Sequence, residues 1–524
     1  MSHFMYANMP GDSSDEEASP ANAAPATRRN ISSGIHSQTN PQFGSTPVTG
    51  SIRTSATFDG ALPSISKGVT NLIDASLSVH NISLYTNILS SSGHLEAGHL
   101  LSDSPVDLGA LSAHMTEPVV KPLTASLHAH IFFAVIKSYV GPAILYLPHA
   151  FNNGGMLASA LTIPMLGALV SVTFSGLAQC HISSPGFPTY GDMAQLALGK
   201  TGYIAVQTAL CVAQLATCTS YYMFVSRNVR DSLELLGCHS FSSQQIIPAL
   251  VIIFTPMALV KSIRHLAITN IIADLLILGG LSFVAYYATA VLASNDGEPA
   301  APVERLFNPH GFLLFLGTSC FTFEGSGLMI PIVSSLEPEY KSHFSPIFHR
   351  AMLTTVLLFS SFGALCYSTF GSSVILPVTL NVDAGVGPGV AIRLGYSIAV
   401  VFTYPLQLLP IADILEAAIS HPPAPCATIT SLARRLLSRL LLIALTCLVA
   451  IFGAAEFDHF ISLVGATCGV PLAFVLPNLI YLKLAPALGC AVVWRLVAAR
   501  IGVVVGIFGV IAGGGAALAS WSQR

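Results

Sequence analysis

Long apolar stretches alternate with short polar loops from about residue 125 onward. Each stretch has about 19 residues or more, which is enough for a helix to cross roughly 30 Å of hydrocarbon. We therefore predict an all-α polytopic membrane protein with eleven transmembrane helices, numbered here as spans 1 to 11. Their approximate ranges are 127–152, 156–179, 202–225, 245–263, 266–292, 310–334, 350–370, 388–418, 436–454, 459–482 and 489–519.

The residues before span 1 lack such stretches. They are rich in Ser, Ala, Pro, Gly, Asn and Thr without sustained periodicity, so they bury too little apolar surface to offset the entropy of ordering. We predict a disordered tail over residues 1–120 and a transporter domain over 125–520. No signal peptide pattern opens the chain, so span 1 is expected to direct insertion. In the tail, EAGHLL (96–101) is either an acidic-dileucine sorting signal or disordered filler.

Positive charges between the spans predict the orientation. With a cytosolic amino terminus, twelve Lys and Arg residues flank the spans on the inner side and five on the outer side. Cytosolic loops of membrane proteins carry the excess of Lys and Arg. The tail is therefore predicted to be cytosolic, and the odd number of spans puts the two termini on opposite sides.

Composition agrees with a membrane protein. Hydrophobic residues make up 52% of the chain and charged residues 9%, against about 25% charged in soluble domains, and the mean hydropathy is +0.68. A net charge of −3 without a basic run argues against nucleic acid as a partner. The ten cysteines form no C-x-x-C pair and are interpreted as small packing residues, with Cys238, in a loop, as the one candidate for a disulfide. No metal site or cofactor is predicted.

Spans 1 and 6 carry helix-breaking residues at mid-depth. Gly141 and Pro142 interrupt span 1, and Gly325 and Gly327 interrupt span 6 directly after Glu324. Lipid cannot hydrogen-bond to freed backbone groups, so each break is either a packed kink or a binding site. Two breaks five spans apart are typical of an inverted repeat of five helices and favour a transporter.

The same segments resemble a known family. VGPAILYLPHAFNNGG (140–155) resembles the G-x-G-x-L-x-L-P-x-A-F signature in the first helix of the amino acid/auxin permease family. FTFEGSGLMIPI (321–332) is similar to that family's sixth helix, and LVGATCGVPLAFVLPNLIYLKL (463–484) to its tenth. The resemblance covers residues 125–520 and follows the vacuolar and proton-coupled amino acid branch. Pro142 departs from the family pattern, which has a small residue or Thr after the first glycine.

The resemblance implies a leucine-transporter-like fold, a five-plus-five inverted repeat with helices 1 and 6 broken, and a zwitterionic amino acid bound between them. Freed amides at the first break suit the α-carboxylate of such a substrate, and freed carbonyls at the second suit its ammonium group. Tyr221 or Tyr222 in span 3 is expected to shape specificity. The predicted binding residues are Ser138, Tyr139, Val140, Gly141, Ala143, Phe323, Glu324, Gly325, Ser326 and Tyr222.

Three ionisable residues deep in the spans are candidates for coupling: Lys137, Asp274 and Glu324. Glu324 is either a proton carrier beside the break or a carboxylate held for structure. Lys137 lies near the position where sodium-coupled relatives carry an asparagine ligand, so its ammonium disfavours sodium, and Asp274 is expected to pair with Lys137 or with backbone. Ala134 replaces the histidine of proton-coupled relatives, and the span's own histidines, such as His149, are either proton sites or interfacial residues.

The prediction is a secondary active, proton-coupled amino acid transporter that works by alternating access in the vacuolar, lysosomal or plasma membrane. Its partners are then an amino acid, the proton and the lipid bilayer. The alternative is a membrane amino acid sensor that signals through the tail. A membrane enzyme has little support, because the chain lacks a zinc H-E-x-x-H motif, a phosphate loop and a nucleophile elbow. A seven-helix receptor conflicts with eleven spans, and a channel gives no reason for a glutamate beside a broken helix.

Overall fold

The computed structural model describes residues 125–184, 189–259, 263–383, 385–419 and 429–522. Within these ranges every regular element is helical and no strand occurs, which confirms the all-α class. The predicted tail, with its dileucine pattern, lies outside them. The helices are α1 (Ala125–Tyr139), α2 (Leu147–Gly154), α3 (Met156–Ile182), α4 (Tyr190–Leu235), α5 (Ser243–Ala258), α6 (Ile263–Ser294), α7 (Phe312–Thr322), α8 (Ser326–Ser334), α9 (Phe344–Phe370), α10 (Val386–Ile419), α11 (Ile429–Gly453), α12 (Phe457–Val464), α13 (Leu476–Ala487) and α14 (Val493–Ser522).

Several of these helices are long and apolar enough to cross a membrane. Among the described residues there are eight such stretches, or nine when the bent pair Leu127–Tyr139 and Pro142–Gly154 counts as one span. The chain is thus a multi-pass membrane protein, but this count does not confirm eleven spans.

Two regions account for the difference between the nine candidate spans among the described residues and the eleven predicted spans. Ala433–Ala487 is counted once although it has 55 residues, which as a helix would measure about 80 Å, more than twice the hydrocarbon thickness. Non-helical angles at Glu456 (φ −114°, ψ 48°) divide this stretch, so it has room for predicted spans 9 and 10. Ser243–Ala258, at predicted span 4, has only 16 residues. Eleven spans therefore stay a prediction.

The two broken spans cross each other in opposite directions. The first half of span 1, α1, contacts the second half of span 6, α8, while α2 contacts α7. The spans therefore run antiparallel, with one break beside the other. Helix α9 lies along both halves of span 1, and α12 and α14 cover α7.

A second close crossing joins span 6 to span 10. Gly317 in α7 meets Gly465, where α12 gives way to the π-helical turns Gly465–Gly469 and Pro471–Val475. A Cβ on Gly465 would lie 2.8 Å from the carbonyl carbon of Gly317 and 2.9 Å from the nitrogen of Phe321. Small residues allow helix backbones to approach this closely in membranes. The contact holds span 10 against the half of span 6 that precedes the break.

Substitution of Gly465 by alanine is expected to destabilise the protein, because the added methyl group meets backbone atoms that cannot rotate away. Overpacking of this kind typically costs about 1–3 kcal/mol, so the midpoint of thermal unfolding in detergent should fall. Gly515→Ala is the matched control, since a Cβ there meets none of the described atoms within 4 Å. Equal midpoints for the two variants would contradict the proposed contact.

Candidate functional site

The break in span 1 is an extended step followed by a 3₁₀ turn. Helix α1 ends at Tyr139, and Gly141 is extended, with φ −136° and ψ −164°. The 3₁₀ turn Pro142–Tyr146 leads into α2, and the two halves of the span differ in direction by 47°. The Gly141 N–H reaches no acceptor in the described part of the chain, and no described atom lies within 4 Å of a Cβ placed on this glycine. The break thus offers a free donor beside open space.

Pro142 is the first residue of the 3₁₀ turn. The first N–H groups of a helix have no intrahelical acceptor, so the missing N–H of proline costs no helical hydrogen bond at this position, and its fixed φ suits the start of a turn. Pro142 therefore begins the second half of span 1. This explains how the departure from the family pattern is tolerated, although one potential donor is lost.

The break in span 6 is shorter. Helix α7 ends at Thr322 and α8 begins at Ser326. Between them, Phe323 (φ −85°, ψ 11°) and Gly325 (φ −133°, ψ 9°) depart from α-helical geometry. Two helix ends therefore lie at this break: the carboxyl-terminal end of α7, with carbonyl groups that lack an intrahelical donor and a negative dipole end, and the amino-terminal end of α8, with free N–H groups and a positive dipole end.

The two breaks are in direct contact. A Cβ on Gly325 would lie 2.9 Å from the carbonyl oxygen of Ser138 and 2.8 Å from Cε1 of Tyr139, so the unshifted backbone has room only for glycine. Tyr139 is 3% exposed, and its hydroxyl is buried without a hydrogen-bond partner among the described residues. Predicted binding residues of spans 1 and 6 thus meet at one place.

Several predicted binding residues have side chains occupied elsewhere. The Ser138 hydroxyl donates to a carbonyl of its own helix at 2.7 Å. The Phe323 ring is 1% exposed and packs on Phe359, with ring centres 5.3 Å apart. Val140 and Ala143 are half-buried. What Ser138 and Phe323 can offer a ligand is therefore mainly their backbone groups.

The two candidate tyrosines of span 3 have different surroundings. Tyr222 is fully buried in an aromatic cluster, with ring centres 4.4 Å from Phe254 and 6.0 Å from Tyr404. The Tyr221 hydroxyl instead lies 3.5 Å from Gln407 Nε2 and is within electrostatic range of the Glu324 carboxylate. Successive residues of a helix point about 100° apart, so only one of the two can face the break. The geometry favours Tyr221, and a binding role for Tyr222 stays a prediction.

Glu324 lies within the break of span 6 and is half-buried. Its carboxylate has no hydrogen-bond or ion-pair partner in the described ranges. Its electrostatic neighbours there are the Tyr221 hydroxyl and the Cys468 thiol, the latter in the first π-helical turn of span 10. No bond to the described chain holds the carboxylate in place, which weakens the purely structural interpretation.

Lys137 and Asp274 form an ion pair between α1 and α6. Their side chains are 30% and 36% exposed, respectively. Of the two partners considered for Asp274, the structure therefore selects Lys137. Because Lys137 precedes Gly141 by about one helical turn, this ion pair lies near the first break.

A buried loop closes one side of the crossing. The connection between α9 and α10 contains a 3₁₀ turn, Val378–Asn381, which contacts the 3₁₀ turn of span 1. Arg227 donates to the carbonyl of Leu376 at 2.9 Å, and Nη2 of Arg393 donates to two other loop carbonyls, both at 3.2 Å. Sequence reasoning missed both arginines, because near the ends of spans it counts such residues only as signals of orientation.

Span 10 is tied to the second half of span 1 on the side predicted to face outward. His149 Nδ1 lies 3.2 Å from Asp458 Oδ1, and the Asn153 amide donates to Asp458 Oδ2 at 3.0 Å. His149 is therefore a contact of α12, and its role as a proton site or an interfacial residue stays open. A charged residue at the start of an apolar span was the available signal for Asp458, but the sequence does not indicate its partners.

The chain matches known proteins over most of the described residues. Residues 128–518 match the family described as transmembrane amino acid transporter protein. Vacuolar amino acid transporter 3 of Saccharomyces cerevisiae is 33% identical over 67% of this chain and 50% of its own length. The protein of the same name from Schizosaccharomyces pombe is 29% identical over 69% and 53%, and Amino acid transporter AVT3A of Arabidopsis thaliana is 27% identical over 70% and 84%. The chain spans about half the length of the curated yeast relatives it matches.

Solved structures also align with the chain. Mhp1 in its inward-facing conformation aligns with 75% of this chain and 91% of its own, at 12% identity and a TM-score of 0.48. A Na⁺-coupled sialic acid symporter in a substrate-bound outward-open state aligns with 85% and 98%, at 12% identity and a TM-score of 0.45. With its broken spans in contact and the family match extending from residue 128 to 518, the chain belongs to the transmembrane amino acid transporter family.

Proposed function

We propose that the chain is a secondary active amino acid transporter that binds its substrate where the two breaks meet. The observation that carries the proposal is the contact of Gly325 with Ser138 and Tyr139 at the crossing of two broken spans. Unbroken helices would pack there without free backbone groups, whereas broken ones expose such groups to a ligand. Family membership and the relatives named as vacuolar amino acid transporters support an amino acid as the cargo.

The antiparallel crossing supports a leucine-transporter-like arrangement of two inverted five-helix repeats. In such a repeat, the first helix of each half is broken and the two breaks face each other near mid-membrane. The contacts of α1 with α8 and of α2 with α7 fit this relation. Alternating access then requires that one side of the crossing opens while the other is closed.

A zwitterionic amino acid suits the polarity of the breaks. The free Gly141 N–H is directed to the carboxylate of the substrate, and the carbonyl groups and carboxylate around Glu324 attract its ammonium group. The substrate side chain extends toward Tyr221. The proposed carboxylate side comprises Ser138, Tyr139, Val140, Gly141 and Ala143, and the proposed ammonium side comprises Phe323, Glu324, Gly325 and Ser326.

Proton coupling is proposed to run through Glu324. No described residue hydrogen-bonds to its carboxylate, so binding of a proton changes the charge beside the substrate without breaking a bond within the described chain. The Lys137 ammonium, paired with Asp274, is proposed to stand near the first break in place of a sodium ion. A proton and a zwitterion can then move together as a unit.

In the described conformation, the side of the crossing predicted to face outward is closed. The loop containing Val378–Asn381 covers the turn of span 1, and the His149–Asp458 contact joins spans 1 and 10. Outward opening requires both contacts to separate. We propose the vacuolar membrane as the location, on the names of the yeast relatives, which makes the outer side luminal.

Replacing Glu324 by glutamine is expected to abolish accumulation driven by a pH gradient, because the proposed proton site is lost. Exchange of labelled for unlabelled substrate should continue, because the other proposed binding groups are unchanged. The assay is uptake of labelled neutral, acidic and basic amino acids into proteoliposomes. Accumulation driven by the pH gradient should fall by about tenfold or more, which corresponds to about 1.4 kcal/mol. Glu298→Gln, at an exposed glutamate, is the control.

Three outcomes of that assay would count against the proposal. Wild-type accumulation that follows a sodium gradient and ignores pH would exclude proton coupling. Full accumulation by the glutamine variant would remove Glu324 from the coupling pathway. Saturable binding by the wild-type protein without accumulation would favour the sensor alternative over transport.

Replacing Gly141 by alanine is expected to weaken substrate binding without weakening the fold. A Cβ at Gly141 meets no described atom within 4 Å, so the thermal midpoint should stay the same, while the methyl group occupies space assigned to the substrate. The KM for uptake should rise by about fivefold or more, equivalent to about 1 kcal/mol. Gly279→Ala in α6, also next to open space, is the control, and an unchanged KM for Gly141→Ala would place the substrate elsewhere.

A further inference from the structure

Two cysteines far apart in sequence have their thiols close together. Cys180, near the end of α3, is buried, and Cys490, in the connection between α13 and α14, is partly exposed. Their sulfur atoms are 3.9 Å apart although 310 positions separate the residues. Both thiols are free. A disulfide bond measures about 2.05 Å, so its formation requires the sulfur atoms to approach each other by about 2 Å.

The surroundings of the pair favour thiol chemistry. Arg495 Nη1 donates to Gln179 Oε1 at 2.7 Å, which holds the guanidinium beside both cysteines, and its charge interacts electrostatically with each thiol. A neighbouring arginine stabilises the thiolate, the form that reacts with oxidants. Cys490 is accessible for a first reaction, and Cys180 is within reach for the second.

We propose that Cys180 and Cys490 form a regulatory disulfide when the protein meets a hydroperoxide. The Cys490 thiol loses its proton, the thiolate attacks one peroxide oxygen and the O–O bond breaks. With hydrogen peroxide as the oxidant, a sulfenic acid and hydroxide form, and the released proton converts the hydroxide to one water. The Cys180 thiol then attacks the sulfenic sulfur, the S–O bond breaks, and a second water leaves. In total, two thiols and one hydrogen peroxide give one disulfide and two waters.

The position of the pair connects this bond to the substrate site. Helix α3 packs on α2 and α8, which are halves of the two broken spans, as well as on α9. A disulfide would tether the end of α3 to the connection between α13 and α14, and so restrain elements next to the breaks. We therefore expect oxidation to slow transport. This effect on transport rests on the proposed function, but formation of the disulfide is independent of it.

The test uses the full-length protein in proteoliposomes, treated with hydrogen peroxide and compared with untreated samples. Mass spectrometry of a non-reducing digest should detect a peptide linked through Cys180 and Cys490 in the wild type. The linked peptide should also form in the control variant Cys238→Ser, which replaces an exposed cysteine, and it should be absent in Cys490→Ser. Amino acid uptake by the wild type should fall by about fivefold or more on oxidation, because a tether stops alternation between states, and return with a thiol reductant. Cys490→Ser and Cys180→Ser should keep their uptake in peroxide.

The readouts separate the possible failures. Absence of the linked peptide after treatment overturns the proposal, whatever the uptake. A linked peptide with unchanged uptake in an active protein overturns the regulatory part. A wild-type protein without uptake before oxidation counts against the proposed function, and the linked peptide then decides the disulfide by itself.

Discussion

The hydrogen-bonding needs of the backbone inside a membrane govern this structure. Hydrocarbon offers no donors or acceptors, so the peptide groups released where a helix breaks must face protein, water or a ligand. Spans 1 and 6 meet that constraint together, because their breaks lie against each other and the glycine at position 325 fits onto the Ser138 carbonyl and the Tyr139 ring. The Gly141 N–H is still without an acceptor in the described chain, and it is the group proposed to donate to the substrate.

Charged groups stabilise the parts that surround this contact. Each is costly in a membrane unless it is paired or bonded to backbone carbonyls, and the structure shows both solutions. Lys137 pairs with Asp274 between spans 1 and 5, while Arg227 and Arg393 bond to carbonyls of the loop that covers the turn of span 1. Glu324 differs from these groups, because no described residue bonds to its carboxylate. That difference distinguishes a candidate for protonation from charges that hold the architecture.

The sequence predicts the location of the site better than its contacts. Glycine and proline change backbone behaviour wherever they occur, so the order of amino acids is enough to locate the two breaks. Tyr221 and Tyr222 look alike in sequence, and only the rotation of their helix decides which one is near Glu324. The contact between Asp458 and Asn153 cannot be predicted from the sequence for another reason, since the two residues are 305 positions apart. The division between spans 9 and 10, by contrast, is predicted from the apolar stretches to lie at 455–458, and the non-helical angles of Glu456 lie there.

Glycine has opposite structural roles at the two breaks, and a sequence motif does not distinguish these roles. At position 325 the missing side chain permits contact, since even one added carbon would meet the Ser138 carbonyl oxygen at 2.9 Å. At position 141 the missing side chain leaves room, since nothing described lies within 4 Å. A sequence motif records both as the same letter. Only the position of the neighbouring helix distinguishes a glycine that packs against another backbone from one that leaves space. The space beside Gly141 is therefore available to a ligand bound where the two breaks meet, whereas Gly325 supplies the contact between them.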